Sequence, residues 1–166
     1  MNDQPAADPE AVEAFWRRAQ AQGAVPHDRA APDAVEQFGD SPALADELLD
    51  LVLHGPKRAT AGSLAAFEHE GAPLPVAGDH WVVADGSGRP RAVLRTAEVR
   101  VGPLSSVDDA FAWDEGEGDR TRATWLADHE AFFRREMTRL GVAFDPDMPT
   151  VFERFDLVYT EGAGGP

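Results

Sequence analysis

Apolar positions along the chain recur first at helical spacing, then at strand spacing, and then at both in turn. Asp8-Pro9-Glu10 places a capping acid before a proline that fits the first helical turn, and Val12, Phe15, Trp16 and Ala19 follow at helical spacing up to Gly23. Residues 24–38, with Pro26, Pro32 and scattered acids, read as a loop. Asp40-Ser41-Pro42 opens a second helix through Leu44, Leu48, Leu51 and Val52 that should stop near Gly55-Pro56. A short amphipathic run from Leu64 to Glu70 then leads into a connector broken by proline and glycine.

The period changes at His80. Residues 80–84 are apolar and β-rich, and Asp85-Gly86-Ser87-Gly88 is a turn cluster. Residues 91–101 then alternate, with Val93, Arg95, Ala97, Val99 and Val101 on one face and Leu94, Thr96, Glu98 and Arg100 on the other, so a hairpin is predicted. A helix is expected over residues 105–113 with Ser105 as its cap. A longer one after Asp119 carries Trp125, Leu126, His129, Phe132, Phe133, Met137 and Leu140 and stops at Gly141. Residues 150–160 read as a closing strand. Strands interrupted by helices, with one strand returning late, predict an α+β domain on a small mixed β-barrel surrounded by helices. In this division residues 1–9 and 161–166 are frayed, disordered tails, 10–37 are an N-terminal helix and loop, and 38–160 are the domain they pack on.

Composition sharpens the picture in three places. The chain has 166 residues, 43% of them hydrophobic, enough for one core and one domain. It has no cysteine, which removes disulfides, thiolate metal sites and cysteine nucleophiles. The polar, acidic start and the lack of any run of about 18–20 apolar residues predict a cytoplasmic protein with no membrane partner. Thirty acidic against fifteen basic residues give a net charge of -15, which opposes phosphate backbones in general and a DNA duplex in particular; any RNA must be gripped locally. Fourteen of the fifteen basic residues are arginine, and the exception is Lys57. A lysine amine, unlike a guanidinium, can lose its proton and act as base or nucleophile.

Lys57 sits in Gly55-Pro56-Lys57-Arg58-Ala59-Thr60, which resembles the G-x-K-x-x-T element of the ASCH family. The resemblance continues in order through Phe38-Gly39-Asp40, Gly78-Asp79, Arg95-Thr96-Ala97-Glu98-Val99, Glu115-Gly116-Glu117-Gly118-Asp119, Trp125-x-x-x-His129-x-x-Phe132-Phe133 and Glu153-Arg154-Phe155. Together these look like a larger bacterial ASCH subgroup with an added N-terminal helix. The resemblance implies a PUA-like β-barrel whose cleft holds a nucleoside or a short single-stranded RNA. It also implies a catalytic set of Lys57, Thr60 and Glu98, as in members that remove an acyl group from the exocyclic amine of cytidine. Thr60 Oγ would attack the carbonyl, neutral Lys57 would take its proton, and Glu98 would position the substrate amine or protonate it. With Lys57 charged, the lysine would instead stabilise the oxyanion while Glu98 activates water. Arg58 and Arg154 would contact phosphate, with Arg95 beside them. Glu115, Glu117 and Asp119 would accept from a base edge, and His129 would stand at the cleft rim. No metal and no cofactor is expected.

Plainer roles stay open for each residue. Lys57 suits a solvated charge at a helix C-terminus, Thr60 an ordinary cap or strand residue, and Glu98 a surface carboxylate paired with arginine. The six carboxylates between Asp108 and Asp119 suit a solvated loop in which Asp119 caps the next helix. Trp125, His129 and Phe133 share one helical face, as core residues do, and Arg58 and Arg154 suit an ordinary surface. A metal-independent ribonuclease and a non-enzymatic RNA or nucleotide sensor stand beside the hydrolase as readings.

Overall fold

The structure, a computed structural model, describes residues 3–162. Helix α1 (Pro9–Ala21) begins where the capping pattern predicts, with Asp8 accepting from the Glu10 amide. Helix α2 (Pro42–Leu53) begins in the same way, with Ser41 accepting from Leu44 N. The remaining elements are β1 (Ala34–Glu36), β2 (Ala59–Ser63), α3 (Leu64–Glu70), β3 (His80–Ala84), β4 (Pro90–Pro103), α4 (Asp109–Glu115), α5 (Arg122–Leu140) and β5 (Pro149–Thr160).

Two features depart from the sequence pattern. The expected loop of residues 24–38 contains β1, which pairs parallel to β3 with Ala34 opposite Trp81. A three-residue strand has no period to read, and it exists because the Asp33 amide donates to His80 O at 2.7 Å and the Asp33 carboxylate accepts from His80 N at 2.8 Å. The helix expected from Ser105 starts later. Leu104–Ser106 form one 3-10 turn, and Asp108 caps α4 by accepting from Phe111 N at 2.8 Å. Likewise Thr121, not Asp119, caps α5; Asp119 braces that cap by accepting from the Thr121 amide and from the hydroxyls of Thr121 and Thr124.

The five strands form one curled sheet, a half-barrel in the order β1-β3-β4-β5-β2, antiparallel except between β1 and β3. Three apolar clusters hold helices against it. Phe15 and Trp16 of α1 meet Val82 and Val93. Leu49 and Val52 of α2 meet Trp81, Leu94 and Phe155. Phe111 of α4 and Trp125 and Phe133 of α5 meet Ala59 and Phe152. Each fully buried ring contributes about 1.5–3 kcal/mol. The stretch before Pro9, expected to fray, lies on the domain: the Gln4 amide donates to the carbonyls of Phe38 and Ser41 at 2.9 and 3.0 Å. Of the expected C-terminal tail, residues 163–166 fall outside the described residues, as do residues 1–2 of the N-terminal one. No described helix is long and apolar enough to cross a membrane.

One irregularity decides which side chains meet. Thr96 of β4 lies opposite Phe155 of β5, but Glu98 lies opposite Arg154, so two steps on β4 answer one step on β5. That is a bulge, and it turns Glu98 to the face opposite Thr96. The unbroken alternation expected for this strand had put them on the same face.

Candidate active site

Lys57 follows the C-terminus of α2, where its amide donates to Leu51 O at 3.1 Å, and precedes β2. It is 1% exposed, not solvated at a helix end. Its ammonium donates to Ala59 O at 2.8 Å and to Glu117 Oε1 at 3.2 Å, and stands 3.6 Å from Glu115 Oε1. Gly116 makes this enclosure possible: at φ 71° it turns the chain so that the two flanking glutamates close on Lys57. A Cβ there would meet Lys57 N at 2.7 Å.

Behind Lys57 the charges continue. Glu115, 2% exposed, accepts from the Trp125 indole N–H and bonds His129 Nε2 at 2.9 Å. His129 Nδ1 faces Trp125 O at 2.8 Å, and a carbonyl can only accept, so Nδ1 carries a proton; facing an ionised carboxylate, Nε2 carries one too. Burial alone would push the Glu115 carboxyl up, but the charges of His129 and Lys57 and the bonds from His129 and Trp125 outweigh it and hold it below its ordinary range. Burial alone would lower His129, and the charge and hydrogen bond of Glu115, helped by Glu117, raise it instead. The result is a quartet of two cations, Lys57 and His129, and two carboxylates, Glu115 and Glu117. Glu115, Glu117 and His129 each offer a ligand atom within 4.8 Å of the others, as a metal site would. The Lys57 ammonium already stands against both carboxylates, so the cation at this point is the chain's own.

The quartet adjoins a cleft of about 520 Å³. Phe38 is the link: it walls the cleft, and the Lys57 ammonium lies 5.3 Å from its ring centroid. Thr60 lines the cleft directly, as do Thr96, Trp81 and Glu153. Thr60 and Glu153 are direct partners across β2 and β5, so their side chains share a face, and Thr96 Oγ1 donates to Glu153 Oε1 at 2.6 Å. Burial pushes the Glu153 carboxyl up; the Thr96 hydroxyl works against this and the charge of Asp79 adds to it.

Glu98 is not in this group. The bulge places it on the other face, exposed and paired with Arg154 at 3.3 Å. The expected convergence of Lys57, Thr60 and Glu98 is therefore corrected, and the carboxylate that faces Thr60 is Glu153. The signal was in the sequence as an acid, Glu153, alternating with Val151 and Phe155 on one face of the closing strand. Arg154 shares its guanidinium between Glu98 and Asp114, the latter at 2.9 Å. Arg95 pairs with Asp156 at 2.9 Å on the surface. Arg58 donates to Val52 O and Lys57 O at 3.0 and 2.6 Å, closing the end of α2. Asp119 serves the α5 cap, and His129 is inside the quartet, not at the rim.

Glu36 was not singled out by its sequence context. By accessible area it is exposed, yet it stands recessed between the cleft and a groove of about 680 Å³ beside the N-terminal segment, with protein packed around its carboxyl. That crowding first, then the charges of Glu70 and Glu153, push it up to about 7. The folded chain thus keeps a proton that the unfolded chain releases near the ordinary value of 4.5, so Glu36 costs stability as pH rises between the two values. Glu36→Gln is expected to raise the melting temperature at about pH 8 and leave it unchanged at about pH 4, by calorimetry at both. An equal shift at both would refute this origin.

A curled mixed sheet with a cleft at its open edge, headed by a buried lysine three residues before a threonine, defines a half-barrel of the PUA-like class. The ASCH domain pattern matches residues 34–159, and the chain belongs to the ASCH domain family. It is similar to protein EF3133 from Enterococcus faecalis V583, assigned to family DUF984, with 34% identity over 90% of this chain and 88% of that one and a TM-score of 0.80. It is also similar to an ASCH domain from Lactobacillus crispatus JV V101, with 28% identity over 96% of this chain and 99% of that one and a TM-score of 0.80. Among curated proteins none matches the chain.

Proposed function

We propose that the protein is a metal-independent hydrolase of a modified nucleoside, cleaving an amide on the exocyclic amine of a base in the manner of an N4-acylcytidine. The observation that carries this reading is the direct opposition of Thr60 and Glu153 on the cleft wall beside the buried Lys57 quartet. An acyl amide needs a nucleophile, a proton shuttle and a stabilised oxyanion. Thr60 Oγ attacks the acyl carbon while Glu153 takes the hydroxyl proton. The C–N bond then breaks, Glu153 returns the proton to the departing amine, and water hydrolyses the threonyl ester to free the acid. Lys57 supplies fixed positive charge at the Phe38 wall. Glu153 takes both the amine-protonating role first expected of Glu98 and the base role first expected of Lys57, and its upward shift suits a group that both takes and returns a proton.

The association of ASCH proteins with RNA supports a nucleoside as the ligand. The arginines expected to grip phosphate are instead bound to carboxylates and backbone carbonyls, which counts against the ribonuclease reading. Incubation with N4-acetylcytidine and with a labelled single-stranded RNA, in excess chelator, tests it. Mass analysis should find cytidine and acetate with intact RNA. RNA fragments would replace the proposal with the ribonuclease, and binding without either product would replace it with a sensor.

A further inference from the structure

Six carboxylates line the cleft beside Thr60, those of Asp33, Glu36, Glu70, Asp79, Glu136 and Glu153. Three are engaged: Asp33 pairs with Arg29, Asp79 accepts from Val76 N at 2.9 Å and Glu136 accepts from Ser63 Oγ at 2.6 Å. Arg139, the guanidinium in the lining, is drawn to Asp40 at 3.3 Å. Glu36, Glu70 and Glu153 have no cationic partner within 4.0 Å among the described residues, although each stands within electrostatic reach of another. Glu153 is the telling member. It is 9% exposed, its Oε1 is taken by Thr96, and its Oε2 has no hydrogen-bond partner among the described residues. Oε2 is the oxygen left open to the cleft, free to accept from a ligand. Phe38, Phe67, Trp81 and Phe132 also line the cleft, and ring faces attract cations as carboxylates do.

We propose that this cleft takes a ligand through a protonated amine, seated between Glu36, Glu70 and Glu153 against the aromatic wall, and that it turns away ligands bearing phosphate. This rests on the reading of the cleft as the substrate site and specifies its charge class: the acylated nucleoside, or the acyl group on it, carries an ammonium. An ammonium supplies three donors to carboxylates that no cation of the chain pairs, whereas a phosphate would meet their like charge.

Spermidine is the probe, with cytidine 5′-monophosphate as the anionic comparison, titrated calorimetrically in about 0.15 M salt so that the net charge of the chain is screened. One spermidine per chain is expected. Glu36→Gln and Glu153→Gln should each weaken it about tenfold, whereas Glu47→Gln, an exposed change on α2, should not. Thermal melts confirm that each isosteric variant folds. Near pH 7 the heat should depend on the buffer, because the bound cation drives the proton from Glu36. Equal affinity in all four proteins, no saturable binding, or tighter binding of the monophosphate would each overturn the proposal. The acetylcytidine assay separates the two ideas: hydrolysis without spermidine binding removes the amine site and leaves the hydrolase, and spermidine binding without hydrolysis does the reverse.

Discussion

Lys57→Met is expected to destabilise the protein by about 3–5 kcal/mol, the range for removing one partner of a buried ion pair. For a chain of this size that is a fall in melting temperature of about 10 °C. The aliphatic stem is replaced at similar volume, so the loss is electrostatic. Glu115 stays 2% exposed with His129 as its one remaining cation, and Glu117 loses its hydrogen bond. Adding Glu117→Gln to Lys57→Met removes the orphaned charge and should recover part of the loss. Urea unfolding of the two single variants and the double variant gives the coupling directly. A cost below about 1 kcal/mol for Lys57→Met would mean that the quartet does not hold the α4 end against β2, since surface ion pairs cost no more than that.

Thr60→Ala and Glu153→Gln should each lower turnover of an acylated cytidine by about 10²–10⁴, the range for losing a nucleophile or a proton shuttle. Thr60 is half-buried on β2 and its side chain makes no hydrogen bond among the described residues, so its loss should leave stability within about 0.5 kcal/mol. Glu98→Ala is the discriminating variant. Exposed and tied to Arg154 on the far face, it should retain turnover within about twofold. Full activity in Thr60→Ala, or loss of activity in Glu98→Ala alone, would reverse the assignment of the cleft face. Initial rates on one substrate, with melts as fold controls, suffice for the comparison.

These expectations differ from a purely linear reading of the chain because of where each residue's partners lie. Helix starts at Asp8 and Ser41, the stop at Gly141 and the β3–β4 hairpin were legible, since a cap, a left-handed glycine or a short turn needs partners only a few residues away. The lone lysine and the motif around it marked one position of the site on composition alone, and the order of motifs along the chain pointed to the family. The rest depended on distance in sequence. Strand β1 forms on β3 more than forty residues later, and the bulge that separates Thr96 from Glu98 is a matter of register with β5, which no local pattern of β4 records. Lys57 reads as a solvated helix-end charge until Glu115 and Glu117 close over it, and Glu153 reads as one acid in an apolar strand until Thr60 arrives opposite. Local free energies of capping and periodicity are written in neighbouring residues. The environment of a charge is set by what packs around it, and that exists only once the sheet has curled.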